Sequence, residues 1–130
     1  MTETKKRVLL VEDDRFLRRA CEASLQQRGF EVLTATDGEQ GLSLALSERF
    51  DVVLLDLLMP KKPGIEVLAA IRSTPALSAL PVLILSNSSR EEDKRHAIEL
   101  GAQGYYVKAN LSLKALSDEI VRLVAAGDRS

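Results

Sequence analysis

The stretch Val52-Val53-Leu54-Leu55-Asp56-Leu57-Leu58-Met59-Pro60 decides how this chain is read. Four apolar, strand-forming residues run into a single carboxylate, and a proline follows within the next turn. A run that is apolar on both faces suits a strand covered on both sides of a parallel sheet. Asp56 is then expected at the carboxyl end of a buried strand. Three other runs end in the same manner. Val8-Leu9-Leu10-Val11 ends in Glu12-Asp13-Asp14, Val82-Leu83-Ile84-Leu85 ends in Ser86, and Gly104-Tyr105-Tyr106-Val107 ends in Lys108. Acids, a lone acid, a hydroxyl and an ammonium at four strand ends have the chemistry of a site for a metal ion and a phosphoryl group.

Working outward, strand and helix patterns alternate. A fifth strand run spans 31–35. Leu17, Cys21 and Leu25 recur at i+4, with Ala20 and Ser24 on the same face, and Gly29 ends that first helix. Asp37-Gly38-Glu39-Gln40 reads as a capping box opening the second helix. The third runs from Gly64 to Arg72. Ser89-Arg90-Glu91-Glu92 is expected to cap the fourth, which ends at Gly101. Leu113, Leu116, Ile120 and Leu123 give the fifth its inward face. The expectation is an α/β fold with five parallel strands and helices on both faces. In such open sheets a ligand site lies beyond the carboxyl ends of the strands, at the switch point in strand order.

The chain has 130 residues, enough for one domain with one sizeable core. With 18 basic and 19 acidic residues, no global field draws it to nucleic acid or anionic lipid. One cysteine excludes an internal disulfide and a cysteine metal cage. The polar start MTETKKR leads straight into a strand without a signal peptide. No apolar run approaches the roughly 20 residues needed to span a bilayer. These features predict a cytoplasmic protein with no membrane and no direct nucleic-acid partner. The tail Gly127-Asp128-Arg129-Ser130 is too short for a second domain, and the MTETKK start disfavours an internal fragment.

Glu12, Asp13 and Asp56 would raise one another's pKa unless a cation intervenes. Hard oxygen donors of this kind suit Mg²⁺, which keeps several waters. Asp13 and Asp56 are the expected direct ligands, with Glu12 acting through water and the backbone carbonyl of Leu58 adding a further oxygen. An aspartate can attack phosphorus to form an acyl phosphate. The transfer then needs positioning and charge neutralisation. Lys108, the Ser86 hydroxyl and a nearby backbone N–H, that of Asn87, are the expected phosphoryl contacts.

The pieces VLLVEDD, VVLLDLLMPKKPG, LPVLILS and GAQGYYVK together resemble the receiver domain of two-component response regulators, including single-domain chemotaxis-type regulators. The resemblance runs from Arg7 to about Val124. It implies a flavodoxin-like sheet of order 2-1-3-4-5 and one receiver domain over residues 1–130, with its core at about 7–124. It implies that Asp56 takes a phosphoryl group from a sensor histidine kinase or histidine phosphotransfer protein. It also implies that Ser86 and Tyr105 shift together and that the face of the fourth helix, fifth strand and fifth helix meets a downstream protein or a second copy. Such a domain is a phosphoacceptor in signalling that catalyses only its own phosphorylation and dephosphorylation.

Three positions depart from the family pattern. Ala109 stands after Lys108 where proline preceded by a cis bond is usual. Asn87 replaces a small residue, and Leu58 stands where a polar side chain is frequent. A cis bond before alanine costs about 2.5–4 kcal/mol, so the bond is either trans with an altered loop or strained.

Plainer readings attach to several residues. Asp14 is expected to cap the first helix rather than bind metal. Cys21 reads as core packing, and His96 as a solvated helix residue in a charged run. Arg18 and Arg19 read as solvated. Tyr105 and Tyr106 should face opposite sides of the sheet. Two other functions stay open. A hydrolase of the aspartyl-phosphate type would share the nucleophile but needs an acid at the position of Leu58. A pseudo-receiver would bind partners without phosphorylation.

Overall fold

The computed structural model describes residues 5–59 and 61–127, with side chains through residue 125. The first four residues, Pro60 and the tail from Asp128 to Ser130 lie outside the described residues, and so do the readings that fall on them. The elements alternate as expected: β1 (Arg7–Val11), α1 (Arg15–Gln27), β2 (Glu31–Ala35), α2 (Gly38–Ser47), β3 (Val52–Asp56), α3 (Gly64–Ser73), β4 (Val82–Ser86), α4 (Glu91–Glu99), β5 (Gly104–Val107) and α5 (Leu113–Gly127). The strands form one parallel sheet of order 2-1-3-4-5.

Alternation along the strands builds two cores. Leu9, Val11, Val53, Leu55, Val82 and Ile84 face one side, where Ala45 of α2, Val67, Leu68 and Ile71 of α3 and Ala97 of α4 cover them. Val8, Leu10, Val52, Leu54, Leu83 and Leu85 face the other, under Cys21 and Leu25 of α1 and Leu116, Ile120 and Val124 of α5. Residues 8–11, 52–55 and 82–85 are fully buried, as both-sided cover requires. A one-residue slip of a strand would exchange the two sets, so burial fixes the register. Tyr105 packs with the first cluster and Tyr106 with the second, facing opposite ways.

Most helix ends follow the residues expected of them. Asp14 Oδ1 accepts from the N–H of Phe16 and Leu17, which makes it the α1 cap. Gly29 and Gly101 close α1 and α4 at φ 92° and 105°. Two caps differ in detail. Asp37 Oδ1 accepts from Gln40 N–H at 2.8 Å, but Gln40 Oε1 returns to the N–H of Thr36 at 2.9 Å. Ser89 does not cap α4, which begins after Arg90 without a side-chain cap. Ser88, whose N–H donates to Ser86 Oγ at the end of β4, bonds to the start of the helix instead. Its Oγ accepts from Arg90 N–H at 3.2 Å and donates to Asp93 Oδ2 at 2.5 Å.

At the N-terminal ends of the strands, Arg7 ties three elements together. Its backbone N–H donates to Asp51 Oδ2 at 2.7 Å. Its guanidinium donates to the Arg49 carbonyl at 2.7 Å and to Glu48 Oε1 at 2.8 Å. Glu31 Oε2 lies 3.4 Å from Nε, and the guanidinium carbon lies 5.0 Å from the centre of the Phe50 ring. Among the described residues, no helix is long and apolar enough to cross a membrane.

Candidate functional site

The strand register lines up the polar residues at the opposite edge. Val11 pairs with Leu55, so Glu12 leaves β1 beside Asp56, the last residue of β3. Asp56 pairs with Leu85, which places Ser86 one step further on. Ser86 pairs with Val107, and Lys108 follows. Since β1 connects to β2 on one side and β3 lies on the other, the switch point falls between β1 and β3, where the acids converge.

Carboxylate oxygens of Glu12, Asp13 and Asp56 lie within 4.8 Å of one another. Glu12 and Asp56 are buried, whereas Asp13 is exposed. Lys108 Nζ donates to Glu12 Oε2 and Asp56 Oδ2, each at 3.0 Å, and lies 2.9 Å from Glu12 Oε1. Asp56 Oδ1 accepts from the backbone N–H of Leu58 at 3.1 Å. Burial pushes Glu12 up to about 7, against the opposing pull of Asp14 N–H and Lys108. Burial also raises Asp56, opposed mainly by Lys108. Burial disfavours the Lys108 ammonium, yet the two carboxylates outweigh it and hold the lysine above its ordinary value.

Three carboxylates against one ammonium leave negative charge that a hard cation would compensate. Glu12 Oε1 is the sign of that deficit. It is buried without a hydrogen-bond partner, although the lysine is within ion-pair distance. A water held by a cation would give it a donor. The donor set therefore fits a divalent metal ion with oxygen preference.

The loop after Asp56 is tightly folded. The Leu57 carbonyl accepts from Gly64 N–H at 2.9 Å, and a Cβ on Gly64 would lie 2.1 Å from the Asp56 carbonyl. Lys61 takes a left-handed φ of 71°, and its Nζ lies 3.7 Å from Asp37 Oδ2. The Leu58 side chain is 70% exposed and offers no proton-transfer group. Asn87 is exposed at the rim. The bond between Lys108 and Ala109 is trans, and Lys108–Asn110 form a 3-10 turn. The strained alternative is not the one adopted.

Ser86 and Tyr105 meet through a residue that the sequence did not single out. Ser86 Oγ accepts from Ser88 N–H at 3.0 Å, and the Tyr105 hydroxyl donates to the Ser88 carbonyl at 2.9 Å. Ser88, through Asp93, extends the connection to α4. A cavity of about 250 Å³ opens beside this loop, lined by Leu57, Leu58, Ile65, Ser86, Asp93 and His96 among others. His96 is exposed, as a solvated helix residue should be. Arg18 departs from its expected solvated role. Its Nη1 donates to the carbonyls of Glu12 and Asp13. Helix side chains lean toward the N-terminus, and an arginine in the first turn of α1 reaches the acid loop for that reason.

Comparison with known proteins agrees with this geometry. The family model described as the response regulator receiver domain matches residues 8–120, and the chain belongs to that family of signalling domains. The transcriptional regulatory protein CpxR of Escherichia coli K12 is 43% identical over 102 residues, which is 78% of this chain and 42% of CpxR. The chemotaxis response regulator CheY4 of Vibrio cholerae is 33% identical with a TM-score of 0.85, covering 92% of this chain and 99% of that one. The Mn²⁺-bound form of the response regulator Rcp1 is 33% identical with a TM-score of 0.76, covering 88% of each. The chain spans less than half the length of the curated relatives it matches. Receiver domains work with histidine kinases and downstream effectors in two-component signalling, and the acidic pocket is consistent with phosphorylation and metal binding.

Proposed function

We propose that residues 7–124 form one receiver unit in which Asp56 accepts a phosphoryl group from a phosphohistidine. The donor would be a sensor histidine kinase or a histidine phosphotransfer protein. The observation that carries this reading is Lys108 bonded to both buried acids within the three-carboxylate cluster. A carboxylate oxygen of Asp56 bonds to phosphorus as the P–N bond to the donor imidazole breaks. The imidazole leaves with the electron pair and is protonated by solvent. Mg²⁺, bound by Asp13 and Asp56 directly, by Glu12 through water and by the Leu58 carbonyl, would neutralise phosphoryl charge. The Mn²⁺-bound Rcp1 supports this choice of metal class.

The rest of the work belongs to the chain. Leu58 N–H orients the Asp56 carboxylate. Lys108, poised on Asp56 Oδ2, moves onto a phosphoryl oxygen, while the Ser86 hydroxyl and Asn87 N–H take another. Ser86 Oγ accepts from Ser88 N–H and keeps its own proton for a phosphoryl oxygen, so a shift of Ser86 toward phosphate would draw on Ser88, which also holds Tyr105 and Asp93. That links the charge event to α4 and β5, a local change biasing a surface. Ile98 on α4 and Val121 on α5, 42% and 39% exposed, support a partner or dimer face there. The unit would catalyse only its own phosphorylation and dephosphorylation, in the cytoplasm. The hydrolase reading fails for want of an acid at Leu58.

Incubation with Mg²⁺ and a small phosphodonor is expected to add one phosphoryl group by intact mass, and Asp56→Asn should add none. Labelling that persists in Asp56→Asn would refute the assignment. Lys108→Ala should still accept phosphate but lose changes in hydrogen exchange across residues 86–105. Changes confined to the Asp56 loop in the wild type would exclude signalling through that face.

A further inference from the structure

Arg18 is the fourth residue of α1, and its side chain turns back over the acid loop. Nη1 donates to the Glu12 carbonyl at 3.0 Å and to the Asp13 carbonyl at 3.2 Å. These two carbonyls belong to the two peptide planes that flank Asp13. Holding both planes fixes the backbone dihedrals of Asp13, and with them the direction of its Cα–Cβ bond. Other bonds in the loop act on its neighbours. Asp14 N–H donates to Glu12 Oε2 at 3.0 Å, and Asp14 Oδ1 holds the first turn of α1. Glu12 is also fixed by burial and by Lys108. Asp13 is exposed, yet its carboxylate must stay within 4.8 Å of Glu12 and Asp56 to share a cation with them.

We propose that Arg18 is a positioning residue for the divalent metal ion, aiming the Asp13 carboxylate by clamping the peptide planes on either side of it. This rests on the reading that the cluster binds Mg²⁺. The sign of the effect separates the clamp from plain electrostatics. A guanidinium near a cation site repels the cation, so charge alone would make its removal tighten binding. The clamp predicts the reverse. Outer partners that orient metal ligands typically contribute about 10–100-fold in affinity.

The test is Mg²⁺ titration of the full chain, followed by amide NMR shifts of residues 13 and 56, for the wild type, Arg18→Ala and Arg18→Lys. Thermal melts without metal accompany each. The clamp predicts binding weakened about tenfold in Arg18→Ala and partly restored in Arg18→Lys, whose ammonium can reach one carbonyl. Metal-free melting temperatures should stay near the wild type. Affinity in Arg18→Ala equal to or above wild type would overturn the clamp while leaving the metal reading intact. So would a lower melting temperature with unchanged affinity. No Mg²⁺ binding by the folded wild type would overturn the metal reading itself, and the clamp with it.

Discussion

At the N-terminal ends of the strands, Arg7 gathers Glu31, Glu48, Asp51 and the Arg49 carbonyl around one guanidinium and its backbone. At the carboxyl ends, Lys108 gathers Glu12 and Asp56, with Asp13 beside them. Both ends join strands through charge, but the balance differs. Around Arg7 the partners reach solvent, with the Glu31 and Glu48 side chains 51% and 40% exposed. Their bonds, led by that to Glu48, hold the guanidinium above its ordinary pKa. Around Lys108 the two bonded carboxylates are buried and pushed up by burial. One end leaves its acids open to water, although Arg7 Nε is itself buried without a hydrogen-bond partner. The other keeps a deficit that only a bound cation or a proton removes, and such deficits mark functional sites.

That contrast can be broken most visibly at Arg7. Arg7→Leu should destabilise the protein by about 2–3 kcal/mol in urea denaturation, because carboxylates and a carbonyl lose their common donor. Mg²⁺ affinity should be unchanged. A matching fall in affinity would show that the two ends are coupled.

Glu12→Gln should act in the opposite direction on stability. The Glu12 pKa rises on folding from 4.5 to about 7, with burial as the main cause. A raised folded pKa contributes stability that is full below the unfolded value and lost as pH rises through the folded one. At pH 8 the metal-free wild type has lost it. Glutamine cannot ionise, so Glu12→Gln should be more stable at pH 8 by about 1–2 kcal/mol, with the gain shrinking toward pH 5. Thermal melts at the two pH values check this; equal gains at both would mean that ionisation of Glu12 is not the cause.

The smallest effect concerns the loop behind Asp56. A left-handed φ costs a side-chain-bearing residue about 1–2 kcal/mol, partly offset by the flexibility glycine brings to the unfolded chain. Lys61→Gly should therefore stabilise by about 0.5–1 kcal/mol without changing phosphorylation of Asp56. A loss of stability would show that the contact of Lys61 with Asp37 outweighs the backbone cost.

Most of the carboxyl-end site was legible because it follows from strand periodicity. Once Val52–Leu55 is a buried strand, Asp56 must lie at its end, and the same reasoning places Glu12, Ser86 and Lys108. What escaped depends on side-chain reach. The charge of Arg18 alone points to solvent, and the backward lean of helix side chains is what brings it to the acid loop. Spacing points to Ser89 as the α4 cap, whereas the Ser88 hydroxyl, held beside Ser86, does the bonding. Arg7 opens β1 like any basic residue, and its hydrogen-bond partners lie 41 to 44 positions away in sequence, beyond any local pattern. The Lys61 backbone could not be foreseen, since lysine carries no preference for a left-handed turn.

Cys21 has a practical consequence. It is 1% exposed, and burial raises its thiol to about 11, so at neutral pH it is neutral and shielded. The chain has no other cysteine and no tryptophan. Native protein should resist iodoacetamide and react only after denaturation; rapid native alkylation would contradict the burial. The wild-type background is thereby silent to both thiol reagents and indole fluorescence. A cysteine placed on exposed α4, or a tryptophan near the acid loop, would be the sole reporter of its region. The proposed response of α4 to phosphorylation can then be tested one element at a time without first editing the protein to remove competing labels.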